Sequence, residues 1–416
     1  PDDQPLPGYT ISNPPLAPAL VNGQPSRVLQ GVTGHAAYNI EVPPKWNGQL
    51  VMWAHGFRGE TRVLTADTPG FGLRQRLLDQ GYAWAASSYY GNDYDVRAGV
   101  LSTRHLADHF ARTVGKPKKR FILGVSMGGH VTGRSIEQYP GYYDAALPMC
   151  GVMGDHGLFD FFLDFQVVSQ DLADIPAYPI PADYQTAVVP KIQDALGLTG
   201  LRPGGPDTTN ELGKQFRQIV INQSGGPRPG DTAAFANWYT FLFGLANPPA
   251  GGTLAQEPEQ VSTNIRTRYT PSTPVDVNKT VQRVRPADNG ARHTHRLTQN
   301  PSISGRPGVP VLSLHNLGDM FVPFSMEQQY YQDVARNKHT KNLVQRAIRA
   351  AGHCEFTPTE AGTAWDDLVR WEKTGKRPAG DNVIRPSTVA DPDYGCRFTD
   401  LTAQNTGSRV LYPNCP

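Results

Sequence analysis

Long apolar runs, closely spaced cysteines and an excess of one charge are all missing from this chain. No stretch of 18 consecutive apolar residues occurs in its 416 residues, which excludes a membrane-spanning helix. The formal net charge is +2 and no basic run is longer than residues 116–120, so we expect neither a nucleic-acid partner nor an anionic membrane. No two cysteines lie within four residues of each other, and His293 and His295 lack a third ligand nearby. We therefore expect no metal and no other cofactor.

Cysteine is scarce, but its number is even. Four cysteines together with 37 prolines fit an exported protein better than a cytosolic one, so we expect a secreted, extracellular protein. The count alone leaves three disulfide pairings open.

A serine set between glycines is the most informative feature that the chain does contain. An apolar run over residues 121–123 leads into Gly124-Val125-Ser126-Met127-Gly128, and residues 131–137 can open a helix directly afterwards. Such a strand, turn and helix hold a serine in a strained backbone conformation, and glycines avoid collisions with the neighbouring chain. The pattern predicts a nucleophile elbow with Ser126 at its tip.

Three further segments supply what a serine nucleophile needs. Serine reacts poorly near neutral pH, so it requires a base and a group that orients the base. His353 lies in a loop before a helical segment, and Asp319 follows an apolar strand over residues 309–316. Upstream, a strand over residues 49–54 runs into His55-Gly56-Phe57, where a backbone N–H can stabilise an oxyanion. We interpret His55 itself as a structural hydrogen-bonding residue.

Hydrophobic periodicity and turn residues predict the other elements of the chain. We expect strands over residues 37–42, 49–54, 82–88, 143–150 and 309–316, and helices over residues 71–80, 96–114, 188–196, 232–245, 325–335 and 364–373.

The order of the functional segments, with the oxyanion loop first and then serine, aspartate and histidine, resembles that of the α/β-hydrolases. The resemblance covers roughly residues 36–150 and 305–378. It implies an α/β fold with a mostly parallel sheet flanked by helices and a large inserted lid or cap. The expected organisation is an N-terminal arm and the first part of the core over residues 1–150, the inserted cap over 151–304, the second part of the core over 305–378, and a C-terminal tail over 379–416.

The resemblance also implies roles for individual residues. These are the catalytic residues Ser126, Asp319 and His353, and the oxyanion-hole amides of Met127 and Phe57. Asp155, just after the preceding strand, is a minority alternative for the acid.

The aromatic residues that open the insertion are candidates for the substrate pocket. Phe159, Phe161, Phe162 and Phe165 directly follow the strand that ends beside the predicted active site. From these we select Phe161 and Phe162, together with Phe57, as substrate-binding residues. The alternative interpretation makes the cluster the packed core of the lid.

The implied fold also favours one cysteine pairing. Cys150 ends the strand after the nucleophile helix, at the sheet edge to which the loop of His353 must return, so we expect a bond between Cys150 and Cys354. The remaining pair, Cys396 and Cys415, would close a loop of about 20 residues in an irregular tail.

These residues favour hydrolysis of a carboxylic ester through an acyl-enzyme on Ser126. The resemblance also admits a peptidase or amidase, or an acyltransferase, of the same fold. A non-catalytic binding module on the same scaffold would require the loss of a triad member. The expected substrate is a small-molecule or polymeric ester. The sequence does not determine its acyl and alcohol groups.

Overall fold

A single sheet of eight strands forms the centre of the protein. The computed structural model describes residues 1–246 and 261–416. Its strands, in chain order, are β1 (Thr10–Ile11), β2 (Leu20–Val21), β3 (Gln24–Pro25), β4 (Arg27–Thr33), β5 (Ala36–Val42), β6 (Gln49–Ala54), β7 (Val63–Leu64), β8 (Ala83–Ser87), β9 (Lys119–Val125), β10 (Ala145–Met149), β11 (Val311–Asn316) and β12 (Leu343–Ile348).

Across the large sheet the strand order is β12-β11-β10-β9-β6-β8-β5-β4. In this order, all neighbouring strands from β12 through β6 to β8 pair in parallel. Strand β5 is antiparallel to both β4 and β8. After β6 the chain adds β8 on one side and then returns to place β9 on the other. The carboxyl ends of β6 and β9 therefore flank a topological switch point, where open α/β sheets bind their ligands. The predicted mostly parallel sheet is confirmed.

Helices connect and cover these strands. They are α1 (Leu73–Asp79), α2 (Val96–Thr113), α3 (Met127–Gln138), α4 (His156–Ala173), α5 (Val189–Leu196), α6 (Glu211–Gln223), α7 (Asp231–Gly244), α8 (Val277–Thr280), α9 (Asn289–Arg292), α10 (Ser325–Arg336), α11 (Pro358–Thr374) and α12 (Pro386–Val389). A π-helical turn over Tyr184–Val188 precedes α5, and 3₁₀ turns lie at Thr340–Asn342, Leu401–Ala403 and Gly407–Leu411.

Two apolar layers enclose the sheet. On one face α1 and α11 pack through side chains such as Leu77 and Trp365. On the other face α2, α3 and α10 contribute Leu106, Ile136 and Tyr330. This three-layer arrangement buries both sides of the parallel strands, which explains why their sequences are almost continuously apolar.

The chain between β10 and β11 forms α4 to α9, within the predicted insertion. Its apolar side chains belong to one continuous buried cluster that also includes Met127 and Val131 of α3 and Met320 after β11. The insertion therefore packs directly on the strand ends that carry the predicted active site. Residues 247–260, inside the predicted range 151–304, lie outside the described residues.

Several elements differ from the sequence-based prediction. Strand β12 was not expected because Gln345 and Arg346 interrupt its apolar pattern. Both are buried, and they are compensated by distant carboxylates: Gln345 Nε2 donates to Glu327 Oε2 at 2.7 Å, and Arg346 pairs with Asp367 at 2.7 Å. Edge strand β4 and helix α6 were likewise not predicted.

Helix α11 begins six residues earlier than expected. Thr357 Oγ1 accepts a hydrogen bond from the backbone N–H of Glu360, and the Glu360 carboxylate accepts one from the N–H of Thr357. This capping box, with Pro358 in the first turn, starts the helix soon after the loop of His353.

Among the described residues, the helices are too short or too polar for any of them to cross a membrane.

Candidate active site

The chain has the α/β-hydrolase fold, and the carboxyl ends of its central strands bring the predicted residues together. Ser126 lies at the junction of β9 and α3, with φ 57° and ψ −121°. Such a conformation is unfavourable for a residue with a side chain, so the surrounding packing must hold it in place. This is the geometry of the predicted nucleophile elbow.

Two glycines permit the close approach of chains around the elbow. A Cβ on Gly124 would lie 2.0 Å from the carbonyl oxygen of Gly128, and a Cβ on Gly128 would lie 2.1 Å from that of Ala54. No other residue type fits at either position without moving the backbone. Gly56 is less crowded, since its Cβ would be 3.1 Å from Cβ of Ser126, a contact that a small shift would relieve.

Three side chains from distant parts of the chain form a continuous hydrogen-bonded line. His353 Nε2 lies 2.8 Å from Ser126 Oγ, and His353 Nδ1 lies 2.6 Å from Asp319 Oδ2. An ionised carboxylate can only accept hydrogen bonds, so Nδ1 carries the proton and Nε2 is left to accept from the serine hydroxyl.

The Asp319 carboxylate is fixed from both sides. Its second oxygen accepts hydrogen bonds from the backbone N–H groups of Phe321 at 2.9 Å and Val322 at 3.0 Å. The aspartate side chain is fully buried, whereas that of His353 is 17% exposed. The acid is thus shielded from water while the imidazole can be reached from outside.

Asp155, the alternative acid, lies at the start of α4 instead. Its carboxylate caps the helix through the N–H of His156 and accepts a hydrogen bond from the N–H of Ile303 at 2.8 Å. Within the described residues His353 Nδ1 bonds to Asp319 and not to Asp155.

The two predicted oxyanion-hole amides lie on either side of the elbow, one at the start of α3 and one in the loop after β6. In the part of the chain that the structure describes, the N–H groups of Met127 and Phe57 have no hydrogen-bond acceptor. Gly56, the residue before Phe57, lies against Ser126.

His55 shapes this loop, as expected for a structural residue. Its ring stacks on Tyr89 with centroids 3.8 Å apart, and its nitrogens face the carbonyl oxygens of Gly56 and Ser88 at 2.6 and 2.9 Å. Burial lowers the pKa of His55 to about 4, so the ring is neutral near pH 7.

A small apolar cavity of about 10 Å³ adjoins Ser126, which is room for about one water molecule. Its lining residues come from the loops after the strands and from α4, and are Phe57, Tyr94, Ser126, Val152, Leu158, Phe162, Phe321 and Val322. One of them, Phe321, also packs against the imidazole of His353, with ring centroids 5.0 Å apart.

The predicted aromatic residues of α4 divide between two roles. Phe162 lines the cavity, whereas Phe165 packs on Phe216 and Phe243 in the core of the insertion. Phe161, which we expected in the substrate pocket, lines a separate cleft with Asp164. Adjacent residues on a helix point about 100° apart, which accounts for the different surroundings of Phe161 and Phe162.

Both predicted disulfides are present, Cys150–Cys354 and Cys396–Cys415. The first places the sulfur of Cys354 3.5 Å from His353 Nε2 and ties the histidine loop to the end of β10. These two cysteines and His353 are close enough to suggest a metal site, but sulfurs joined in a disulfide offer no thiolate ligand.

The loop before His353 is held from two further directions. Ser408 Oγ, in the C-terminal tail, accepts hydrogen bonds from the N–H groups of Ala351 at 2.7 Å and Gly352 at 2.9 Å. From the insertion, Trp238 Nε1 donates to the carbonyl oxygen of Ala351 at 2.6 Å. Hydrogen bonds from both the insertion and the tail thus hold the loop that positions the imidazole.

Several residues of the site were not found from the sequence. They are Tyr94, Leu158, Phe321 and Trp238, which line the cavity or contact the histidine loop; all except Phe321 come from segments without a recognisable motif. Only Phe321 carried a signal, because it lies between the predicted acid and the Val322-Pro323 pair.

Comparisons with known proteins give distant matches. No protein-family model matches the chain. It is similar to an o-phthalyl amidase from Xanthobacter agilis, at 22% identity over 404 residues, which cover 83% of this chain and 86% of the amidase.

Among solved structures, it is similar to feruloyl esterase B from Aspergillus oryzae, at 13% identity over 82% of this chain and 80% of that chain, with a TM-score of 0.40. It is also similar to the rice cell wall degrading esterase LipA from Xanthomonas oryzae, at 15% identity over 86% of each chain, with a TM-score of 0.39. By their names, these three proteins are hydrolases.

Proposed function

We propose that the protein is a serine hydrolase that cleaves carboxylic esters through an acyl-enzyme on Ser126. The observation that carries the proposal is the hydrogen-bonded line Ser126–His353–Asp319. A histidine bonded at one nitrogen to a buried carboxylate and at the other to a serine hydroxyl is arranged to take the serine proton.

The first half of the reaction forms the acyl-enzyme. Ser126 Oγ bonds to the carbonyl carbon of the ester while its proton passes to His353 Nε2. The C–O bond to the alcohol then breaks, and His353 returns the proton to the departing oxygen. Asp319 stays ionised and stabilises the imidazolium that exists between these two transfers.

In the second half, water replaces the alcohol. His353 takes a proton from the water as its oxygen bonds to the acyl carbon. The bond to Ser126 Oγ breaks, the proton returns to the serine, and the carboxylic acid leaves.

The free N–H groups of Met127 and Phe57 support the same assignment. Negative charge develops on the carbonyl oxygen as Ser126 attacks, and two fixed backbone donors stabilise that charge more than they stabilise the neutral carbonyl. Each such donor contributes about 2.7–4 kcal/mol in related acyl-transfer sites.

Amide hydrolysis is the second candidate, because the chain is similar to an o-phthalyl amidase over most of its length. The same residues would serve, with His353 protonating a departing nitrogen instead of oxygen. Comparing phenyl acetate with acetanilide, which share one acyl group, tests the two activities. A higher kcat/KM for the anilide would favour the amidase.

An extracellular location accords with the two disulfides, since such bonds persist in oxidising compartments. We propose a small-molecule or polymeric ester as the substrate, and no nucleic-acid partner.

The assignment of residues is tested with a fluorophosphonate probe and three variants. We expect mass spectrometry to place the adduct on Ser126, and Ser126→Ala to lose about 10⁶ in kcat. Asp319→Asn should lose about 10⁴, because the wrong imidazole tautomer is then favoured. Asp155→Asn is the matched control. An adduct elsewhere, or a larger loss in Asp155→Asn than in Asp319→Asn, would contradict the assignment.

A further inference from the structure

Three aromatic rings form a cluster beside the imidazole of His353. Phe321 lies 5.0 Å from the His353 ring, and Phe241 lies 4.7 Å from Phe321, measured between ring centroids. Trp238 completes the group at 5.3 Å from Phe241 and 6.4 Å from Phe321. We call Trp238, Phe241 and Phe321 the aromatic platform.

One ring of the platform is anchored and another is exposed. Trp238 is fixed by its 2.6 Å hydrogen bond to the carbonyl oxygen of Ala351, two residues before His353. Phe241 is 40% exposed. A single exposed phenylalanine is ordinary, but this one belongs to a cluster of rings that reaches the predicted general base.

The direction of the reaction assigns this side of the site to the leaving group. His353 must give its proton to the departing oxygen, so that oxygen lies beside Nε2 when the ester bond breaks. The group attached to that oxygen then extends past the imidazole towards Phe321 and the rest of the platform.

The cavity beside Ser126 has little space. Its volume is about 10 Å³, and of the three platform residues only Phe321 is among those that line it. A cavity of this size suits a short acyl group such as acetyl, whereas the exposed ring of Phe241 leaves room for a larger group.

Resting on the proposed function, we propose that the aromatic platform binds an aromatic leaving group. The substrate class is esters of a short-chain acid with a phenolic or benzylic alcohol. Offset or edge-to-face packing of the alcohol ring on Phe241 and Trp238 supplies the selectivity, as between aromatic side chains in protein interiors.

The test compares acetate esters that differ only in the alcohol that leaves. Benzyl, cyclohexylmethyl and ethyl acetate all release a primary alcohol and all form the same acetyl-enzyme, so differences in kcat/KM report contacts with the alcohol. We expect benzyl acetate to be preferred over cyclohexylmethyl acetate, and both over ethyl acetate.

Variants of Phe241 test the platform itself. Phe241→Ala should lower the ratio of kcat/KM for benzyl to ethyl acetate about tenfold, and Phe241→Leu should keep the preference for large alcohols while losing that for the aromatic ring. Leu101→Ala, which removes another exposed apolar side chain, on α2, is the matched control and should keep the ratio.

A purely structural role for the platform predicts a different result. If the substitution displaces His353, acylation and the hydrolysis of the acetyl-enzyme should slow by the same factor. The rate of acetyl-enzyme hydrolysis is measured after the burst with p-nitrophenyl acetate. Such equal slowing, or an unchanged benzyl to ethyl ratio in Phe241→Ala, would overturn the proposal. If none of the acetate esters is hydrolysed and the fluorophosphonate forms no adduct on Ser126, the proposed function itself is refuted.

Discussion

Phe162 is one of the residues that confine the cavity beside Ser126. Its ring is buried on α4 and faces the cavity together with Leu158 and Val152, so its removal would enlarge the space that we propose for the acyl chain of a substrate. The acyl selectivity of the protein is therefore expected to depend on this one side chain more than on the hydrogen-bonded residues.

We predict that Phe162→Ala raises the ratio of kcat/KM for p-nitrophenyl butanoate to that for the acetate. Two additional methylene groups buried in the enlarged cavity gain about 1.6 kcal/mol, which corresponds to roughly a 15-fold change. Steady-state kinetics with both esters measures the ratio, and a melting curve records the loss of about 3–5 kcal/mol that such a truncation costs. Phe161→Ala is the control, and an equal effect in both variants would contradict the prediction.

The C-terminal tail acts on the histidine loop although it contributes no side chain to the cavity. Ser408 accepts hydrogen bonds from two N–H groups of that loop, and its neighbour Arg409 forms a buried pair with Glu360 at 2.6 Å in the first turn of α11. The Cys396–Cys415 bond closes the tail around these contacts. The tail thus fastens the loop of His353 to the start of α11.

We predict that Ser408→Ala lowers kcat for p-nitrophenyl acetate about tenfold and changes KM little. The N–H groups of buried Ala351 and half-buried Gly352 lose their acceptor, which costs about 1–3 kcal/mol for a buried donor and loosens the loop. Steady-state kinetics and the melting temperature are the measurements. Thr402→Ala, on the exposed part of the tail, should leave both unchanged; equal losses in the two variants would argue against a specific role of Ser408.

Buried neutral histidines make the stability of the whole molecule depend on pH. His130 on α3 is fully buried; its Nδ1 lies 2.9 Å from the hydroxyl of Tyr94 and its Nε2 lies 2.7 Å from the carbonyl oxygen of Pro301. Burial lowers its pKa to about 4, as it does for His55. The unfolded chain therefore binds protons that the folded chain does not, between about pH 6.5 and pH 4.

We predict that the free energy of unfolding falls as the pH decreases through this window and that His130→Gln reduces the fall. A pKa of about 4 against 6.5 corresponds to about 3 kcal/mol for each histidine, present in full above pH 6.5 and lost towards pH 4. Urea unfolding midpoints at pH 7, 5.5 and 4.5 measure the difference. Parallel pH curves for the wild type and the variant would show that His130 does not contribute.

Short-range signals in the sequence identified the three side chains that the structure joins by hydrogen bonds. The elbow around Ser126, the acid at Asp319 and the base at His353 each follow a strand or precede a helix, and their glycine and apolar neighbours mark those boundaries. The chain order of the four segments then implied the fold, since that order accompanies one sheet topology. Both disulfides followed from the same topology.

Tertiary contacts decided the surroundings of these residues. The turn of α4 selects Phe162 and not Phe161 for the cavity, and the packing of α7 brings Trp238 and Phe241 beside His353. Strand β12 exists because carboxylates far along the chain compensate Gln345 and Arg346. Such contacts join residues separated by tens to hundreds of positions, and local patterns of hydrophobicity and turn residues contain no information about which distant side chains will meet.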